Sequence, residues 1–198
     1  MKLIKVTNVK SFATKINPKQ PQKDIVKSIL NNVKKNGDVA VKKYEKKFSG
    51  ATITSLRITP SEIEKAYSVI SKSELTSLRL VKSRLSKTEN SVKSLLKNTV
   101  INHDGVKISK KFIPLSSVGC YIPGGLAKYP SSAIMSIVPA KVAGVKRIVA
   151  ISPPNKMGKI DPLTIVAADI SGATEIYKTG GAQGIAALSF GTKSILAV

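Results

Sequence analysis

Two glycine-bearing segments hold the residue types and spacings best suited to ligand chemistry in this 198-residue sequence. The first is Gly119-Cys120-Tyr121-Ile122-Pro123-Gly124-Gly125. Its paired glycines let a phosphate or ribose come close to the backbone, and Tyr121 offers a stacking face and a hydroxyl. The second is Thr179-Gly180-Gly181-Ala182-Gln183, in which the Gln183 amide can both donate to and accept from a ligand. On residue chemistry alone each segment reads equally as a plain structural turn, with a core tyrosine in the first and a backbone-capping glutamine in the second. Neither holds the G-x-G-x-x-G dinucleotide fingerprint or the G-x-x-x-x-G-K-[ST] phosphate loop.

Candidates for nucleophilic or acid–base work are few. Cys120 lies in an apolar stretch, where burial keeps a thiol protonated and inert. Ser131, Ser132 and Asp161 read as helix caps, Asp169 as a surface or cap residue, and His103 as a solvated histidine at a turn. No Ser/His/Asp set and no carboxylate pair stands out. One histidine and one cysteine do not make a typical zinc site, and a single cysteine excludes an internal disulfide.

The elements that must position the two loops follow from periodicity and punctuation. Residues 21–48 read as two short amphipathic helices broken at Asn36-Gly37, with Ile25, Ile29 and Val33 on one face, then Val39, Val41, Tyr44 and Phe48. Ala51 to Thr59 suggests a short strand, and Glu62 to about Lys97 a helical stretch broken near Ser71-Ser73. His103-Asp104-Gly105 predicts a hairpin turn, because Asp-Gly tolerates the positive φ of a tight turn. After Pro114 the chain becomes small and apolar. Strands are expected at Val118–Ile122, Arg147–Ser152 and Glu175–Lys178, with helices at Ser131–Ala143, Pro162–Ile170 and Ala182–Phe190. Ser194–Val198 reads as the start of a further strand. This alternation at βαβ spacing predicts a parallel sheet with right-handed crossovers, and ligands in such sheets bind beyond the C-terminal ends of the strands.

Composition bounds the rest. With 42% hydrophobic and 22% charged residues the chain is globular, long enough for one ordinary domain with an appended element. The net charge is +22, and the excess is N-terminal: residues 1–110 hold 24 basic and 8 acidic residues. Only four of the 33 basic residues are arginine, the side chain favoured for base reading and phosphate forks, so the lysines read as a solvated surface and nucleic acid as an unlikely partner. The alternative is a non-catalytic basic module that binds nucleotides or nucleic acid. Met1–Lys10 lacks the apolar run of a signal peptide, and the most apolar stretch, 133–151, is interrupted by Lys141, Lys146 and Arg147, so neither export nor a membrane span is expected and the location is cytoplasmic.

Three segments together resemble the histidinol dehydrogenase family: VGCYIPGG at 118–125, YPSSAIMSIVPAKVAGVKRIVAISPP at 129–154, and EIYKTGGAQGIAALSFGTKSI at 175–195. The stretch at 25–50 is similar more loosely. The resemblance implies an α/β fold: a helical N-terminal region over 1–113 with a β-hairpin at about 100–113, then an incomplete Rossmann-like NAD-binding domain over 114–198. It implies zinc- and NAD-dependent oxidation of L-histidinol to L-histidine in histidine biosynthesis, through an aldehyde and in two hydride transfers, by a homodimer. The family's NAD-contacting tyrosine and glutamine correspond to Tyr121 and Gln183. Its Glu-His catalytic pair and its zinc ligands have no counterparts before Val198. The expectation is therefore the N-terminal half of such an enzyme, inactive alone.

Overall fold

The computed structural model describes residues 20–125 and 127–198. The opening Met1–Lys10 stretch lies outside the described residues. Helix α1 (Gln20–Ser49) is one element by hydrogen bonding but bends at Gly37, whose φ of 51° and ψ of −132° are not helical, so the expected two-helix reading survives as a kink. Helices α2 (Pro60–Val69) and α3 (Lys72–Ser94) are separated at Ile70-Ser71, and each opens with a capping box: Thr59 with Glu62, and Ser71 with Glu74. Strands β1 (Thr99–His103) and β2 (Val106–Lys110) form the expected antiparallel hairpin, with Asp104 and Gly105 both at positive φ.

The second half alternates as expected: β3 (Ser117–Tyr121), α4 (Pro130–Ala143), β4 (Arg147–Ser152), α5 (Pro162–Ser171), β5 (Glu175–Lys178) and α6 (Gly181–Phe190). The three strands are parallel in the order β3-β4-β5. Helices α4 and α5 end at Gly144 and Gly172 in the left-handed conformation, and Asp161 caps α5 by accepting from the Leu163 N–H. Ser131 and Ser132 do not cap α4. Its cap position is Tyr129, without a side-chain bond, because Pro130 already begins the helix.

Alternation along β4 divides the core between the faces of the sheet. Ile148 and Ala150 face a cluster with Ile134, Ile137 and Val166 of α4 and α5, while Val149 and Ile151 face one with Val33 and Val41 of α1 and Ala187 of α6. The N-terminal helix is thus an outer layer of the sheet that follows it. Helix α1 buries Ile29, Val33, Ala40 and Val41, whereas Ile25, Val39 and Phe48, expected on its inner face, are exposed. The kink re-aims the second half of the helix, so one periodic face cannot describe both halves.

Two strand expectations change. Residues 51–59 form no strand of their own, only a single antiparallel bridge, Arg57 to Tyr177, with Ile58 N–H donating to Ile176 O and Lys178 N–H to Leu56 O. They cover the outer edge of β5. Residues 194–198 are irregular. Arg147 holds them by donating to the Leu196 and Ala197 carbonyls at 2.9 Å each, and Tyr177 bonds the Ser194 carbonyl. The tail runs past Arg147, Tyr177 and Leu188, and among the described residues it pairs with no strand.

Two ion pairs tie these layers. Lys178 Nζ, buried at the end of β5, meets Glu62 Oε1 at 2.5 Å, and Arg147 Nε meets Glu175 Oε1 at 2.7 Å. Burial pushes both carboxyls up, but their hydrogen bonds and charge contacts outweigh it: from Lys178 and Thr59 for Glu62, and from Arg147, Tyr177 and Arg57 for Glu175. Both therefore titrate below the ordinary carboxylate value. A depressed folded-state pKa stabilises the fold in full above the unfolded value and loses that contribution as pH falls through the folded one. Melting temperature should therefore drop steeply on going from about pH 5 to about pH 3, and E62Q with E175Q should flatten the drop. An unchanged slope in the double variant would refute this assignment.

Candidate functional site

Both glycine loops leave the same end of the sheet, one from β3 and one from β5, on either side of β4. Tyr121 ends β3 and is 40% exposed. Its hydroxyl accepts from the Gly181 N–H at 3.5 Å, so the ring reaches across the end of β4 to the second loop. The loops approach closely because they lack side chains. A Cβ on Gly124 would lie 2.6 Å from Ser152 Oγ, and one on Gly180 would lie 2.7 Å from Pro153 Cβ. Ser152 and Pro153, where β4 ends, are thus gripped from both sides.

Gly181 opens α6 at a φ of 55°, a left-handed conformation that favours glycine. A Cβ there would meet Gln183 Oε1 at 2.9 Å, which places that oxygen against Gly181. Tyr121 and Gln183, singled out separately in the sequence, therefore converge on one residue. Their exposures differ, because Gln183 is only 3% exposed and its Nε2 donates to Glu45 Oε1 at 2.8 Å. One Nε2 hydrogen is thus engaged inside the protein, and the oxygen lies on the Gly181 side.

Glu45 was not singled out in the sequence. It sits in the lysine-rich run Lys42-Lys43-Tyr44-Glu45-Lys46-Lys47, yet it is fully buried. Its Oε1 also accepts from Thr179 Oγ1 at 2.8 Å and the Gly180 N–H at 2.9 Å, and its Oε2 accepts from Ser49 Oγ at 2.9 Å. Spacing puts Glu45 four residues after Val41, on the same side of α1, but nothing in its lysine-rich surroundings marks it as buried.

The remaining candidates do not join this site. Cys120 is buried beneath α4, its thiol donates to the Ser136 carbonyl at 3.6 Å, and burial pushes its pKa up, as expected of a core thiol. His103 is exposed on the hairpin beside Asp104. Asp169 accepts from the Tyr67 hydroxyl at 2.7 Å, an interhelical tie rather than a surface contact. Asp161 is a cap that also meets Lys128 Nζ at 3.4 Å. It lines a cleft of about 390 Å³ beside the first loop, together with Gly124, Ser152, Pro153, Asn155 and Lys159. Among the described residues no three His, Cys, Asp or Glu side chains gather as a metal site. No described helix is long and apolar enough to cross a membrane.

Comparison with known proteins agrees with this geometry. The family model described as histidinol dehydrogenase matches residues 13–198. Histidinol dehydrogenase of Archaeoglobus fulgidus is 42% identical over 170 residues, covering 86% of this chain and 42% of that protein. That of Gloeobacter violaceus is 40% identical over 197 residues, covering 97% and 44%. The crystal structure of histidinol dehydrogenase from Elizabethkingia anophelis superposes with a TM-score of 0.86 at 32% identity, over 92% of this chain and 42% of that one. The chain thus spans well under half the length of the relatives it matches.

Gly180 provides a test of the packing. Its φ of −145° is ordinary extended backbone, so a methyl there is opposed by contact with Pro153 and not by backbone strain. Gly180→Ala should destabilise the chain by about 1–3 kcal/mol, read from urea unfolding. An unchanged midpoint would mean that Gly180 is not pressed against Pro153.

Proposed function

Since the chain belongs to the histidinol dehydrogenase family, we propose that it supplies NAD-binding loops to the oxidation of L-histidinol to L-histidine, a step of cytoplasmic histidine biosynthesis. The observation that carries this reading is the convergence of Tyr121 and Gln183 on Gly181 at the C-terminal ends of β3 and β5. In the sheet of order β3-β4-β5, α4 and α5 lie on one face and α6 on the other. Open α/β sheets hold their ligands beyond the C-terminal ends of the strands, where both loops lie.

The residues present fit NAD. Gly125 has open space where a Cβ would stand, and the exposed Tyr121 ring provides a face for a flat base or nicotinamide. Bound NAD is the hydride acceptor. The chain's own part is to hold it: Tyr121 by contact and Gln183 through its oxygen, within the unit formed by residues 114–198.

The residues present do not fit zinc. His103 is solvent-exposed on the hairpin, and Cys120 is buried and bonded to a carbonyl. The family resemblance implies that zinc ligation and the catalytic acid–base pair belong to the part of the relatives' chains that these 198 residues do not cover. Association as a homodimer is supported by the apolar side chains left exposed around the hairpin and β3, among them Ile101, Ile108, Ile113 and Leu115.

The test is titration of NAD into the 198-residue chain, followed by amide chemical shifts. The shifts should concentrate at 119–125 and 179–183. Tyr121→Ala should weaken binding about tenfold without lowering the melting temperature, since the ring is partly exposed and stacking on an aromatic face is worth about 1–3 kcal/mol. Shifts confined to the lysine-rich helices, or an unaffected Tyr121→Ala, would overturn the reading.

A further inference from the structure

The second glycine loop is not fixed by any side-chain cap from its own helix. Gly180, the cap position of α6, makes no side-chain cap bond, and Gly181 begins the helix in a left-handed conformation. What holds it is a residue more than 130 positions earlier in the chain. Glu45 Oε1 receives the Thr179 hydroxyl, the Gly180 N–H and the Gln183 amide, three donors from one five-residue segment converging on one oxygen. The other oxygen is fixed by Ser49 Oγ, one turn further along α1. The carboxyl is 0% exposed, so water cannot replace any of these partners.

From this arrangement we propose that Glu45 is a positioning residue for the nucleotide loop. It orients the Gln183 side chain so that Oε1 lies against Gly181, and it holds the Gly180-Gly181 turn open toward Tyr121. The proposal rests on the NAD reading for its ligand, but its mechanical part stands on the hydrogen bonds alone. The Gly180 N–H and the Gln183 Nε2 can only donate, so an acceptor is required at the Oε1 position. Without it the amide of Gln183 is free to turn over, exchanging the oxygen presented to the ligand for a nitrogen. An acceptor suffices and a charge is not needed. Glu45→Gln keeps one oxygen at the point of convergence, while its new amide nitrogen faces Ser49 Oγ, which can accept.

The experiment uses the whole 198-residue chain, labelled with ¹⁵N, in four forms: unaltered, Glu45→Gln, Glu45→Ala and Thr179→Val. Two quantities are read in each, hydrogen exchange of the Gly180 amide without ligand and the dissociation constant for NAD. In Glu45→Ala the Gly180 amide should exchange about tenfold faster or more, and NAD should bind about tenfold more weakly, the scale of one lost hydrogen bond. Glu45→Gln should restore both to near the unaltered values, a rescue that a general loss of stability would not give. Thr179→Val removes one donor and leaves Glu45 in place, so it should move both quantities in the same direction by less. It serves as the test if Glu45→Ala does not fold.

The positioning role is overturned if Gly180 exchange and NAD affinity are unchanged in Glu45→Ala, or in Thr179→Val where that substitutes for it. It is also overturned if Glu45→Gln is as defective as Glu45→Ala. If the unaltered chain shows no response to NAD, the NAD reading fails, and with it the ligand assigned to the loop. Gly180 exchange still decides whether Glu45 holds the turn, so the two failures are distinguishable.

Discussion

One buried carboxylate joins the two ends of this molecule. Glu45 stands on the first described helix, and its partners Thr179, Gly180 and Gln183 lie where the last strand becomes the last helix. Burying a carboxyl is costly unless its oxygens are satisfied, so the arrangement is stable only when all these partners are in place together. This couples the docking of α1 on the sheet to the shape of the loop. The same helix contributes Val33 and Val41 to the apolar layer under β4, so packing delivers the carboxyl to its site.

Around that point the structure depends on missing side chains. Gly124 against Ser152, Gly180 against Pro153 and Gly119 against Leu188 each bring two segments closer than a Cβ would comfortably allow. Interiors are packed tightly enough for such contacts to tolerate little added volume. The glycine-rich segments thus serve two ends at once. They compact the top of the sheet, and they leave the Tyr121 ring partly exposed beside it.

The charge imbalance has a structural order of its own. Acidic residues are scarce, and many have defined partners. Asp38 bonds Ser194, Glu62 pairs with Lys178, Glu74 caps α3, Asp161 caps α5, Asp169 holds Tyr67, and Glu175 pairs with Arg147 and Tyr177. Several of these contacts join elements far apart in the chain. Proximity to Glu175, together with burial, pushes the Tyr177 hydroxyl up to about 12. Twelve of the 29 lysines, by contrast, stand on α1 and α3, ten of them exposed, where hydration stabilises the ammonium. The acids tie the fold together, and the basic excess coats it.

The alternation of strand and helix after Pro114, the hairpin at Asp104-Gly105 and the break at Gly37 were all legible in the sequence, because periodicity and turn chemistry act over a few residues. The sequence also singled out Tyr121 and Gln183, from their place in glycine loops and from the family resemblance, and the structure brings both against Gly181. Local pattern could not show that residues 51–59 would lie along β5 as a single bridge, nor that 194–198 would be held by Arg147 without forming a strand, since strand pairing depends on which edge is free. It also could not show that the Gln183 nitrogen faces inward or that Glu45, set among lysines, is buried. A charged side chain is buried only where donors meet it, and here those donors lie more than 130 residues away, so only the tertiary structure could decide it.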